Sequence, residues 1–297
     1  MDKASPIGPA LLDVLQERLP EASKTTLRQM LRHDRILVND RPERDAKRPV
    51  GSADRVEITA KSARVDPRIR IVFEDADLIV IDKAERLLTV TGSAGGSGSG
   101  TGGDGGEENA EALLNRYAAA RPGETRIHHV HRLDRDASGL LVFAKNAFMG
   151  DRLKELFAAH AIERRYVAIV SGSLRESSGS FRSFLAEGRD RRVRSLRIGD
   201  DPSAGKEAIT HYRTTVSGAT YSMLELTLET GRRNQIRVHL AEAGHPILGD
   251  TMYGKGGDDP LGRLALHARH LGFVHPGSRR RVAFTSEEPR AFRDLRL

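Results

Sequence analysis

The stretch Val130–Asn146, VHRLDRDASGLLVFAKN, decides how this chain is read. An Arg and an Asp in a polar turn (Arg132, Asp134) lead through the Ser138-Gly139 pair into the apolar run Leu140–Ala144. A short apolar run bounded by Gly and Lys predicts a buried strand, which places the charged residues in a loop at its mouth. Loops carried on a rigid strand are favoured positions for catalytic groups.

Working outward, the 297 residues suffice for two domains with a substantial core, and 38% of them are hydrophobic. Forty-eight Lys+Arg against 41 Asp+Glu leave a net charge of +7, which favours a polyanionic partner. There are no cysteines, so disulfides, thiolate nucleophiles and Cys-ligated zinc are excluded. Met1–Leu19 has no long apolar core, and no segment approaches the roughly 20 apolar residues of a membrane-spanning helix. The expectation is a cytoplasmic protein, monomeric by default.

Upstream, Ala10–Leu19 and Ser23–His33 have helical spacing, the second with Ser23 as N-cap and Leu27, Met30 and Leu31 on one face. Lys24, Arg28, Arg32 and Arg35 occupy the other. Strands are predicted at Ile36–Asn39 and Arg55–Thr59 with a turn at Asp40-Arg41-Pro42, giving a small ααββ unit over residues 1–61. Residues 62–68 form a linker. Ile69–Phe73 and Leu78–Asp82 predict a β-hairpin that opens a second domain, 69–297. Residues 91–109 are a Gly-rich insertion expected to be mobile, since nine of the fifteen residues from Gly92 to Gly106 are Gly. Its G-x-G-x-x-G at Gly98, Gly100 and Gly103 follows no strand and opens no apolar helix, so a nucleotide-binding loop is rejected.

Helices are predicted at Ala110–Ala120, Ala147–Ala159 and Asn234–Ala243. Strands are predicted at Tyr166–Ser171, Ala208–Val216, Tyr221–Glu229 and Arg279–Phe284. Many strands with few helices between them imply an α+β fold with a mixed, mostly antiparallel sheet. Arg189–Arg197 holds five arginines in nine residues and reads as a basic loop.

The chemistry turns on Asp134. His128, His129 and His131 lack the spacing of a metal site, and no metal is expected. A kinase-like reading of HRLD fails because its further motifs are missing. A buried carboxylate needs a cationic partner to remain ionised, and Thr230–Leu240, TGRRNQIRVHL, offers Arg232, Arg233 and Arg237 at a helix start. Such an Asp acts as nucleophile or base without a cofactor. The alternative, that Asp134 caps a turn or pairs on the surface, stays open on these grounds.

VHRLDRDASGLLVFAKN resembles the catalytic motif of the RluA-type pseudouridine synthases. Five further stretches follow in that family's order: IVFEDADLIVIDK, RRYVAIVSG, GKEAITHYR, TGRRNQIRVHLAEAGHPILGDTMYG and LALHARHLGFVHP. The likeness covers roughly Ile69 to Pro289. LRQMLRHDRILVND with RVEI resembles the alpha-L RNA-binding domain of ribosomal proteins and RNA-modifying enzymes.

The resemblance implies a pseudouridine synthase fold and isomerisation of uridine in structured RNA, ribosomal RNA favoured over transfer RNA, with base flipping and no cofactor. It assigns Asp134 as the essential aspartate, Tyr166 as the platform for the target base and Arg237 as the salt-bridge partner. Arg132 would fill the space the uridine leaves. His131, Arg232, Asn234 and Gln235 are further candidate substrate contacts, and Lys24, Arg28, Arg32 and Arg35 candidate RNA contacts of the first domain. Three roles are open to the aspartate: attack on the sugar, attack on the base, or abstraction of a ribose proton. The chain departs from the family at Asn234, where His is usual, and at Lys83-Ala84-Glu85-Arg86, where Lys-Pro-x-Gly is usual; adjusted substrate contacts are expected. A non-catalytic RNA-binding or ribosome-assembly factor is the competing reading.

Overall fold

A computed structural model describes residues 8–32, 36–39, 41–51, 53–58, 65–91, 107–121, 126–254 and 259–295. The Gly-rich stretch 92–106, with its G-x-G-x-x-G, lies outside the described residues. The chain divides into two compact units, residues 1–64 with 116–124, and residues 65–115 with 125–297.

In the first unit, helices α1 (Leu11–Arg18) and α2 (Lys24–Arg32) precede strands β1 (Ile36–Val38), β2 (Arg41–Pro42) and β3 (Val56–Ile58). Ser23 caps α2, its Oγ accepting from the Thr26 N–H at 3.1 Å. The apolar face is the one the spacing predicts, because Leu27, Met30 and Leu31 are buried with Leu11, Leu15, Ile36 and Val38. One element differs from expectation. Arg41 and Pro42, read as a turn, form a short edge strand in a three-stranded sheet ordered β2-β1-β3. Pro is tolerated there because an edge strand has one side free of ladder bonds.

The second unit opens with the antiparallel hairpin β4 (Ile69–Glu74) and β5 (Leu78–Lys83). Then come α3 (Ala110–Ala119), whose residues from Arg116 on are grouped with the first unit, β6 (His128–His129), β7 (Ser138–Ala144), α4 (Ala147–Ala158) and β8 (Glu163–Ser171). Strands β9 (Ser178–Glu187), β10 (Val193–Ser195), β11 (Lys206–Ser217) and β12 (Tyr221–Leu228) lead to α5 (Gln235–Glu242), β13 (Leu266–Val274), β14 (Arg281–Thr285) and α6 (Arg290–Asp294). One sheet joins the strands in the order β10-β9-β11-β12-β8-β13-β7-β5-β4, with β14 on β13 and β6 on β7. Among these pairings only β13 with β7 is parallel, so the sheet is mixed and mostly antiparallel. Every residue of β7 is buried, which accounts for its unbroken apolar run. Leu140, Val142 and Ala144 pack with Met149 and Leu153 of α4 and with Leu271 and Phe273 of β13.

Three strands differ from the sequence reading. β9 and β13 have no counterpart in it, and β10 lies inside the basic run 189–197, which is therefore only partly a loop.

The register across three strands matters most for function. Ala268 of β13 pairs with Gly139 of β7 on one side and with Tyr166 of β8 on the other. Strands stand about 4.8 Å apart, so the loop feeding β7 and the Tyr166 ring belong to one neighbourhood. Gly139 permits this. It sits at φ +112°, and a Cβ there would lie 2.3 Å from the Ala268 carbonyl oxygen.

Candidate active site

The loop carrying Asp134 is fixed from behind. Thr89 Oγ1 donates to the Leu133 carbonyl at 3.0 Å and accepts from the Leu133 N–H at 3.1 Å. Lys83 is fully buried, and its Nζ donates to the carbonyls of Arg135 and Ala137 on the loop and of Ala84 and Leu87 beside it, at 2.7 to 3.1 Å. Burial lowers its pKa to about 7 against the opposing charges of Asp134, Asp136 and Glu85. The Ala137 N–H closes the turn onto the Asp134 carbonyl at 3.2 Å.

Asp134 lines a cavity of about 490 Å³ with Arg132, Leu133, Arg164, Tyr166, Arg232 and Arg237. Its side chain is 24% exposed, open to a ligand yet largely desolvated. Arg237, on the first turn of α5, donates from Nη1 to Asp134 Oδ2 at 3.4 Å. Its stronger partner is Asp250, which it meets through Nε and Nη2 at 2.8 and 2.7 Å in a bidentate pair. Asp250 also accepts the Met252 and Tyr253 N–H groups at 2.9 Å. Burial pushes Asp250 upward, but Arg237 and these N–H groups hold it below the ordinary carboxylate range. For Asp134 the balance is reversed. Burial raises its pKa, and the more distant Arg237 only partly opposes this.

Asn234 supplies what Arg237 does not. It stands at φ +54° just before α5, the left-handed region that Asn tolerates. Its carboxamide orientation follows from the hydrogen-bond network, because an oxygen turned to Asp134 would face a carboxylate. With nitrogen inward, Nδ2 donates to Asp134 Oδ1 at 3.1 Å and Oδ2 at 3.0 Å, and Oδ1 accepts from the Tyr253 hydroxyl at 3.1 Å. The Tyr253 oxygen accepts from the Val193 N–H at 3.0 Å, and its ring lies 5.3 Å from Arg237 Cζ. Tyr166 is 8% exposed, and burial raises its pKa, so it presents a neutral phenol ring.

Comparison with known proteins gives the family of the chain. The family model described as RNA pseudouridylate synthase matches residues 77–242. The chain belongs to the RNA pseudouridylate synthase family. The chain is 36% identical over 278 residues to YhcT of Bacillus subtilis, described as an uncharacterized RNA pseudouridine synthase, covering 91% of this chain and 86% of that protein. It is 38% identical over 232 residues to the ribosomal large subunit pseudouridine synthase D of Zymomonas mobilis, covering 75% and 70%. The structure of human RNA pseudouridylate synthase domain containing 4 shares the fold, with a TM-score of 0.60 at 24% identity over 75% of this chain and 89% of that one. The protein is therefore an RNA pseudouridine synthase of the RluA type, an isomerase with an RNA substrate.

Within this synthase the structure brings Asp134, Tyr166, Arg237, Arg132, Arg232 and Asn234 to one cavity. His131 and Gln235 line the same cavity, but their polar atoms are engaged within the protein. His131 stacks on Phe157 at 4.4 Å, and its Nε2 accepts the Val142 N–H at 3.1 Å. Burial lowers its pKa to about 3, so it is a neutral imidazole. Gln235 accepts from Thr230 Oγ1 and the Arg232 N–H, and donates to the Ile209 carbonyl and Thr210 Oγ1. Its amide is fully engaged and holds the 230–232 turn to β11; it is not a free donor for substrate. Arg233 turns to Glu187 at 2.7 Å. Among the described residues no cluster of His and carboxylates has metal-ligand geometry.

Three residues escaped the sequence reading. Asp250 and Tyr253 lie within the quoted stretch Thr230–Gly254, but nothing local marks them as partners of Arg237 and Asn234. Arg164 carried only a weak signal, a basic residue two positions before Tyr166 and on its face.

Proposed function

We propose that Asp134 performs the isomerisation on a uridine extruded from structured RNA and stacked on Tyr166, without a cofactor. The observation that carries this is one cavity in which a largely desolvated carboxylate, on a loop pinned by Lys83 and Thr89, meets an aromatic face. A glycosidic bond inside folded RNA is out of reach unless the nucleotide leaves its stack, and an aromatic platform offsets the lost stacking. The bond from ribose to the base nitrogen breaks, the base turns, and carbon 5 joins the sugar. Arg237 and Asn234 orient Asp134 and favour its ionised form. Arg132, exposed on the same loop, would occupy the gap left in the RNA.

Ribosomal RNA is the proposed substrate, a reading supported by relatives named ribosomal large subunit pseudouridine synthase D. The first unit, with Lys24 and Arg28 exposed on α2, is proposed as an alpha-L-like docking domain. The side chain of Arg32, and Arg35 altogether, lie outside the described residues. We further propose a cytoplasmic, monomeric enzyme.

Replacing Asp134 by Asn tests the site. Pseudouridine formation should be lost while thermal stability and RNA affinity persist; turnover at the wild-type rate in this variant would sink the assignment. Pseudouridine maps of RNA from cells with and without the protein test the substrate. A missing ribosomal position is expected, and a loss confined to transfer RNA would refute that choice.

A further inference from the structure

Arg164 is out of balance with its surroundings. It lies two residues before Tyr166 on the same face of β8 and lines the same cavity. It is 8% exposed, yet among the described residues no carboxylate lies within ion-pair distance of it. Among the described residues its Nε has no hydrogen-bond partner, and the one acceptor it reaches is the Glu229 carbonyl, 3.3 Å from Nη2. The Phe157 ring sits 5.6 Å from Cζ. Gly231 makes room on the other side, since a Cβ there would come within 2.5 Å of Arg164 Nη1.

The other arginines of the cavity differ. Arg237 is neutralised by Asp250, while Arg132 and Arg232 are exposed to water. Desolvating a guanidinium without a counter-charge is unfavourable, and an anion brought by a ligand relieves it. A nucleotide carries such an anion on either side of its ribose. The planar guanidinium fork matches phosphate oxygens, and Arg164 keeps most of its five N–H donors unused.

We propose that Arg164 binds a backbone phosphate of the extruded nucleotide, so that the cavity holds its substrate by charge as well as by stacking. This rests on the cavity receiving the target uridine. The phosphate then sits at Arg164, with the base on the neighbouring Tyr166 and the reacting sugar toward Asp134.

Arg164→Met tests the assignment, with total RNA from cells lacking the protein as substrate and pseudouridine as product. An apolar side chain of similar length should leave the melting temperature of the free protein unchanged or raised, because it removes an uncompensated buried charge. KM should rise about 10- to 100-fold, the weight of a charge-assisted hydrogen bond, with kcat within about threefold of wild type. A plot of log KM against log salt should become shallower by about 0.7 to 0.9, one phosphate contact. Arg164→Lys should restore the slope but only part of the affinity, since it keeps the charge and loses the fork.

An unchanged KM with a lowered melting temperature would make Arg164 structural and overturn the proposal. A raised KM with an unchanged salt slope would assign it to a neutral uracil carbonyl instead, which also overturns it. A loss confined to kcat does the same. Failure of the underlying site shows separately, as an Asp134→Asn chain that still turns over.

Discussion

Replacing Asn234 by Ala is expected to move the acidic limb of the pH–rate profile to higher pH. Burial raises the pKa of Asp134, and Asn234 works against it through two bonds to the carboxylate at 3.1 and 3.0 Å. Each such bond to a partly accessible group contributes about 1 kcal/mol, so losing both removes about 2 kcal/mol of preference for the ionised form. The sign follows directly: donors favour the carboxylate, and without them it protonates at higher pH. With the ionised form as the reacting one, kcat/KM below the limb should fall more than tenfold beneath wild type, since about 1.4 kcal/mol is a factor of ten. On the alkaline side the two enzymes should converge. Ala at φ +54° is also strained by about 1 kcal/mol, but that cost does not depend on pH and appears as a lower melting temperature. Tyr253→Phe keeps the ring beside Arg237 and removes the hydroxyl that orients the amide, so a smaller displacement in the same direction is expected. The assay is the initial rate of pseudouridine formation from acidic to alkaline pH. A limb that stays in place, or moves to lower pH, would refute the role given to Asn234.

Asp250→Asn should be costlier to the fold than to the chemistry alone, because it leaves the buried Arg237 guanidinium without its bidentate partner. A loss of about 3 to 5 kcal/mol is expected in denaturant unfolding, and a loss under about 1 kcal/mol would show the pair to be dispensable. Gly139→Ala should prevent folding or cost several kcal/mol, since its Cβ would meet the Ala268 backbone at 2.3 to 2.8 Å and no side chain can yield; a soluble variant with an unchanged melting temperature counts against the close approach of β7 and β13. Lys24→Glu combined with Arg28→Glu should weaken RNA binding and flatten its salt dependence while sparing the fold, measured by titration at several salt concentrations. Equal affinity and slope would remove α2 from the RNA contact.

The elements legible in the sequence are those whose side chains report their own environment. Leu27, Met30 and Leu31 recur at helical spacing and are buried together. The run from Leu140 to Ala144 is uniformly apolar because β7 is covered on both faces. By contrast, Ser178–Glu187 is a ten-residue strand with a largely exposed, polar surface, held by its register against β11, in which Phe184 meets Glu207 and Ser180 meets His211. No local pattern reveals a strand whose cause is its neighbour.

The opening loop shows the same division. From the residues alone, VHRLDRDASGLLVFAKN is a charged turn ahead of a buried strand, and the family likeness picks out Asp134, Tyr166 and Arg237. Only the folded chain decides that Arg237 belongs first to Asp250, that Asn234 supplies the donors at Asp134, and that Gln235 and His131 are engaged within the scaffold. It also leaves Arg164, in the cavity wall, with a free Nε and no carboxylate partner among the described residues. Periodicity and turn chemistry act over a few residues and can be read along the chain. Charge balance and hydrogen-bond satisfaction depend on which distant groups the sheet register brings within about 3 Å, and that is decided in three dimensions.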